Sequence, residues 1–128
     1  MNKKISIILF STVLFTLSSC KKDGTGGKAN IIAFPKHHAH RIKGATVYVK
    51  FGAEDLPKNP TSDYDLKAVG NPAEEFIKIE GLRYGHYYLY ASGYDSTIFS
   101  QVQGGVAMQI KWGQRKNDTN ADIPVTEP

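Results

Sequence analysis

A single cysteine, Cys20, stands in a chain of 128 residues. One thiol closes no intrachain disulfide and builds no cysteine-rich metal centre, so stability has to come from core packing. A long apolar run is also missing. The longest, Ile5 to Leu17, is interrupted by Ser and Thr and falls short of the about 20 residues that a membrane-spanning helix needs. No stretch keeps a 3.6-residue period for two turns or more, which argues against a helical fold. Gly-x-Ser-x-Gly, a Walker loop and His-Glu-x-x-His are all absent, and no side-chain arrangement marks an enzyme. Lys and Arg total 16 against 12 Asp and Glu. They form no basic block or arginine stripe, which argues against a nucleic-acid partner.

What is present begins at the N-terminus. Asn2-Lys3-Lys4 supplies a positive start, Ile5 to Leu17 an apolar stretch, and Leu17-Ser18-Ser19-Cys20 a run of small residues into the lone cysteine. That order is the plan of a secretory signal peptide. Leu-Ser-Ser-Cys resembles the bacterial lipobox, which implies cleavage before Cys20, diacylation of its sulfur and acylation of the new N-terminus. Two or more acyl chains hold a protein stably on a bilayer. With Lys3 and Lys4 removed, 14 cationic residues remain against 12 acids, a formal +2. The expected division is residues 1–19 as signal peptide, 20–28 as lipidated cysteine and flexible Gly-rich tether, and 29–128 as one domain. Lys21 rather than Asp follows Cys20. By resemblance to lipoprotein sorting rules, this implies a cell-envelope protein of the outer membrane of a Gram-negative bacterium, and Lys21-Lys22-Asp23 resembles, in part, tags that direct lipoproteins to the outer face.

Beyond the tether the pattern is all-β. Thr46–Phe51, Glu75–Glu80, His86–Ala91 and Val106–Trp112 alternate or are rich in β-branched and aromatic residues. Asn30–Phe34 and Ala121–Thr126 make plausible first and last strands. In Val106–Trp112 the residues Val106, Met108, Ile110 and Trp112 share one face. Glycines at 44, 52, 70, 81, 85, 93 and 104–105 punctuate these runs as turn signals. Pro57, Pro60 and Pro72 rule out a central strand between Gly52 and Ala73, where Asp63–Val69 could form one helical turn. Short strands with frequent turns predict a single antiparallel β-sandwich of about seven strands, with an immunoglobulin-like arrangement as one form.

Ile42-Lys43-Gly44-Ala45-Thr46-Val47-Tyr48-Val49 resembles a characteristic strand of transthyretin-like domains, the group that includes carboxypeptidase regulatory-like modules. Gly81-Leu82-Arg83-Tyr84-Gly85-His86-Tyr87 resembles their strand–turn–strand hairpin, and Val102 to Val106 the hairpin that follows. The resemblance implies that Leu82 plugs the sandwich end, Gly85 permits the turn and Tyr87 returns into the core. Ring-hydrolysing members of this group end in Tyr-Arg-Gly-Ser. This chain ends Pro124-Val125-Thr126-Glu127-Pro128, so that activity is not implied.

Three of the four histidines cluster as His37-His38-Ala39-His40. On an extended strand His38 and His40 share a face, and neutral imidazoles there suit Zn or Cu, with His37 and His86 as further ligands. The bland alternative is a polar strand end with no cofactor. Tyr87, Tyr88 and Tyr90 offer a ligand face for a sugar or peptide, or else cross-strand packing. Asp95-Ser96-Thr97 resembles an O-glycosylation acceptor of some bacterial envelopes, with Ser96 as the acceptor. The expected protein is lipid-anchored and non-enzymatic. Its membrane contact is the anchor, and its partner is an envelope protein or a carbohydrate. The alternative is an envelope metal-binding protein.

Overall fold

The computed structural model describes residues 22–128; the expected signal peptide and Cys20 lie outside the described residues. Eight strands follow one another: β1 (Thr25–His37), β2 (His40–Arg41), β3 (Thr46–Phe51), β4 (Leu66–Val69), β5 (Ile77–Leu82), β6 (Gly85–Asp95), β7 (Ser100–Ile110) and β8 (Asp118–Pro124). In one sheet β1 is flanked by β5 and β8, with β2 folding back on the end of β1; the other runs β4-β3-β6-β7. The two sheets pack face to face as an all-β sandwich. The pairings are antiparallel except that of β1 with β8, which is parallel. A parallel neighbour needs a long connection, and nearly the whole domain intervenes between these two strands.

Alternation places the core. Val47 and Val49 of β3 face inward between outward Tyr48 and Lys50, and Ile77 and Ile79 of β5 do the same between Lys78 and Glu80. They meet Ile31 and Ala33 of β1, Tyr87, Leu89 and Ala91 of β6, Val102 and Ile110 of β7, and Ile123 of β8 in one cluster. Leu82 and Tyr87 are wholly buried, and Gly85 takes a φ of 140°. Leu82, Gly85 and Tyr87 thus take the places expected of them, but the segment is not the expected hairpin: β5 and β6 belong to different sheets and do not pair, so the turn between them carries the chain from one sheet to the other.

Several boundaries differ from the sequence reading. Gly93 and Gly104-Gly105 are not turns; they lie inside β6 and β7, whose true turn is Ser96–Phe99. A Cβ on Gly104 would overlap the Pro124 carbonyl, and one on Gly105 would press on the Tyr88 ring, so these glycines serve close approach. Residues 66–69, read as a helical turn, form edge strand β4 because Leu66 and Ala68 alternate against the core. Trp112 leaves the β7 face: the strand stops at Ile110 and a 3-10 turn spans Trp112–Gln114. The tether is the largest correction. Thr25 to Lys28 already belong to β1, because Gly26-Gly27 form a bulge across which Thr25 and Ala29 both pair with Leu82.

Candidate functional site

The histidine cluster does not form the extended strand that the sequence suggested. His37 ends β1, His38 and Ala39 turn, and His40 opens β2 opposite His37. A two-residue turn requires positive φ, and His38 supplies it at 55°. The pairing thus joins His37 with His40, and His38 does not share a strand face with His40.

His37 is only 6 % exposed, and its Nδ1 lies 2.8 Å from Asp95 Oδ2 at the end of β6. Asp95 is 2 % exposed, and its other oxygen accepts the Thr97 hydroxyl at 2.6 Å and the Thr97 N–H at 2.9 Å. The Thr97 hydroxyl and then His37 hold the Asp95 carboxyl down to about 2. An ionised carboxylate only accepts, so the His37 Nδ1 carries the proton in this contact. Nε2 faces Glu127 at 3.5 Å, and His40 Nε2 stands 4.0 Å from Asp95. The fourth histidine is remote. His86 lies nine residues from Asp95 on β6, about 30 Å at roughly 3.3 Å per residue, and faces Glu54 at 3.4 Å. The set His37, His38, His40 and His86 does not assemble. Among the described residues no group of three or more His, Cys, Asp or Glu side chains is placed to hold a metal ion.

The tyrosine face needs a similar correction. Tyr87 points into the core, where its ring meets Phe51 edge-on. Its hydroxyl accepts the Gly24 N–H at 2.7 Å and donates to the Arg83 carbonyl at 2.6 Å. Burial pushes this phenol above its ordinary range. It is removed from any ligand face. Tyr88 and Tyr90 do share the outer face, but Tyr90 is buried there beside Tyr48, and Tyr64 of the long connection packs on Tyr48 at 5.1 Å. The connection is held down by Lys50, which pairs with Asp63 at 2.9 Å and Asp65 at 3.8 Å. Cross-strand packing accounts for Tyr90 and leaves Tyr88 half-buried.

Ser96 is exposed at the tip of the β6–β7 hairpin, with the turn fixed by the Asp95–Thr97 contacts. Beside it Phe99 is 81 % exposed with a φ of 52°. This tip and the histidine turn occupy one end of the sandwich.

The chain enters at the other end, and here sequence reasoning missed a group. The Asp23 N–H donates to the Tyr84 carbonyl at 2.8 Å, and the Asp23 carboxylate accepts the His86 N–H at 2.6 Å. Gly27 passes so close to Leu82 and Arg83 that a Cβ would overlap the Leu82 carbonyl. Around this entry a cleft of about 220 Å³ is lined by Lys28, Arg83, Tyr84, Trp112, Arg115 and Lys116. The Tyr84 and Trp112 rings meet edge-on at 4.9 Å, and the Arg115 guanidinium lies 3.9 Å over the indole while donating to the Trp112 carbonyl. The sequence signal was Trp112-x-x-Arg115, where one turn brings i and i+3 together, but reading Trp112 as strand hid it. The chain matches no protein-family model, no curated protein and no solved structure at a significant level.

Proposed function

We propose that the protein is a lipid-anchored component of the bacterial cell envelope, in which a transthyretin-like β-sandwich serves as a non-enzymatic binding or structural module. The observation that carries this reading is Leu17-Ser18-Ser19-Cys20 at the end of a signal-peptide pattern, three residues before the domain begins at Asp23. Placement in the outer membrane rests on Lys21 following Cys20. A structural or binding role is supported by how the distinctive polar groups are engaged. His37, Asp95 and Thr97 bond one another, and Tyr87 and Asp23 bond the backbone. The transthyretin-like reading rests on the sequence resemblance around Leu82 and Tyr87, both of which are buried. The partner class is an envelope protein or a carbohydrate, and Ser96 is the proposed glycan acceptor.

The anchor is tested by Cys20→Ala in the full-length precursor, followed by membrane fractionation and labelling with radioactive palmitate. The unaltered protein should sediment with membranes and take up label, and the variant should do neither. A variant that still sediments and still incorporates palmitate would remove the lipoprotein reading.

A further inference from the structure

The cleft at the chain entry combines three features that together specify a ligand. Four cationic side chains, Lys28, Arg83, Arg115 and Lys116, line it, and among the described residues no carboxylate does. At the entry the Asp23 carboxylate accepts the His86 N–H. Within the cleft wall the Arg83 Nε is buried and lacks a hydrogen-bond partner among the described residues, although Nη2 donates to the Asp23 carbonyl at 3.2 Å. Together the guanidinium groups of Arg83 and Arg115 and the two ammonium groups favour an anion in the cleft. Trp112, 60 % exposed, adds an amphipathic ring of the kind that settles at a headgroup boundary.

Chain length fixes what the cleft faces. Cys20 precedes Asp23 by three residues, at most about 11 Å of extended chain. Asp23 is hydrogen-bonded to Tyr84 and Arg83 of the cleft itself. If Cys20 carries acyl chains, no conformation of the intervening residues can take the cleft far from the bilayer surface. The separation is comparable with the Debye length of about 8 Å at physiological salt, within which anionic lipid attracts basic side chains.

We propose that this cleft binds the phosphate of anionic phospholipid headgroups in the membrane that carries the anchor. Arg83, Arg115, Lys28 and Lys116 supply the charge, and Trp112 enters the headgroup layer. The domain then lies on its membrane with a fixed end down and presents the histidine turn and the Ser96–Phe99 tip away from it. This orientation rests on the anchor proposed above, whereas headgroup binding by the cleft can be measured without it.

The test uses residues 21–128, which contain every core residue from Ala29 to Val125 and lack Cys20. The chain has one tryptophan, so indole emission reports the cleft alone. Vesicles of phosphatidylglycerol and phosphatidylcholine should shift that emission to the blue and carry the fragment into the pellet; phosphatidylcholine alone should do neither. The pair Arg115→Gln and Lys116→Gln should weaken binding roughly 25-fold, about fivefold for each basic residue removed near an anionic surface. The pair Lys43→Gln and Lys78→Gln, which lie outside the cleft, should weaken it far less. Absence of the emission shift, or equal weakening by the two pairs, overturns the proposal. Inorganic phosphate that releases the fragment at concentrations below that of the lipid phosphate would assign the cleft to a soluble phosphate compound and overturn the membrane source. If the fragment binds while the palmitate test fails, the cleft stands and the anchor falls; the reverse outcome leaves the anchor and removes the cleft.

Discussion

The Tyr87 hydroxyl accepts from Gly24 and donates to Arg83, so one side chain of β6 fastens the entering chain to the β5–β6 turn. Tyr87→Phe keeps the ring and leaves the buried Gly24 N–H without its acceptor. A loss of about 1–3 kcal/mol in urea unfolding is expected, the range for an orphaned buried polar group. A change below about 0.5 kcal/mol, the low edge of a typical net hydrogen bond, would show that the entry segment is held by other means. Asp95 does the corresponding work at the far end, and its low pKa fixes the sign of a pH effect. The carboxyl is depressed to about 2 in the fold, against about 3.9 for an unperturbed Asp. Its ionised contacts with Thr97 and His37 therefore contribute fully above about pH 4, and that contribution is lost as pH falls toward 2 and below. His38, His40 and Glu127 also stand around this site. Stability measured across that window should fall more steeply in the unaltered protein than in Asp95→Asn. Parallel curves for the two proteins would mean that the contact is not carried by ionised Asp95.

Among the elements, β5 and β6 are joined by a turn that carries the chain from one sheet to the other. Leu82 pairs with both Thr25 and Ala29 of β1 and is wholly buried. Leu82→Ala should cost about 2–5 kcal/mol, the usual result for a core leucine truncated to alanine. Urea unfolding of residues 21–128 gives the value, and a loss well under 1 kcal/mol would take from Leu82 its role as end plug. The two strands, their turn and the burial of Leu82 were legible because their signals are local: alternation, a turn glycine and a large apolar residue between them; that β5 and β6 part into different sheets was not. The span of β3 was legible for the same reason. What the sequence concealed depends on contacts made from elsewhere. Gly104 and Gly105 look like a turn until Pro124 and Tyr88 are known to press on them. The histidine run reads as extended because nothing local shows that His38 takes a positive φ. Asp95 reads as part of an acceptor motif, because its partner His37 is 58 positions away. Gly26-Gly27 imitates a tether, for a bulge and a flexible linker draw on the same residues. The cleft was the least visible feature, since its lining comes from β1, the β5–β6 turn and the segment after β7, and no one of these looks remarkable alone.

At the scale of the whole molecule, the bulge changes the mechanical picture of the proposed anchor. A tether running through Lys28 would let the domain drift; a chain caught at Asp23 leaves at most about 11 Å between Cys20 and the fold. Under the two proposals, anchor and cleft act as linked attachments to one surface, and the short link keeps the cleft at high local concentration over the headgroups. Ten Gly and Ser residues inserted between Lys21 and Lys22 would raise the root-mean-square reach to about 20 Å, without touching the acylation site or the cleft. Brominated acyl chains quench indole emission at short range, so quenching of Trp112 in the acylated full-length protein measures how closely this end sits on the bilayer. The insertion alone should lower quenching modestly, because the cleft still finds the surface. Arg115→Gln with Lys116→Gln alone should also lower it modestly, because the short link still holds the end down. The insertion and the two substitutions together should lower it by more than the sum of the separate effects, while the protein remains in the membrane fraction through Cys20. Equal quenching in all four proteins would refute the proposal that link and cleft share the task of orienting the domain.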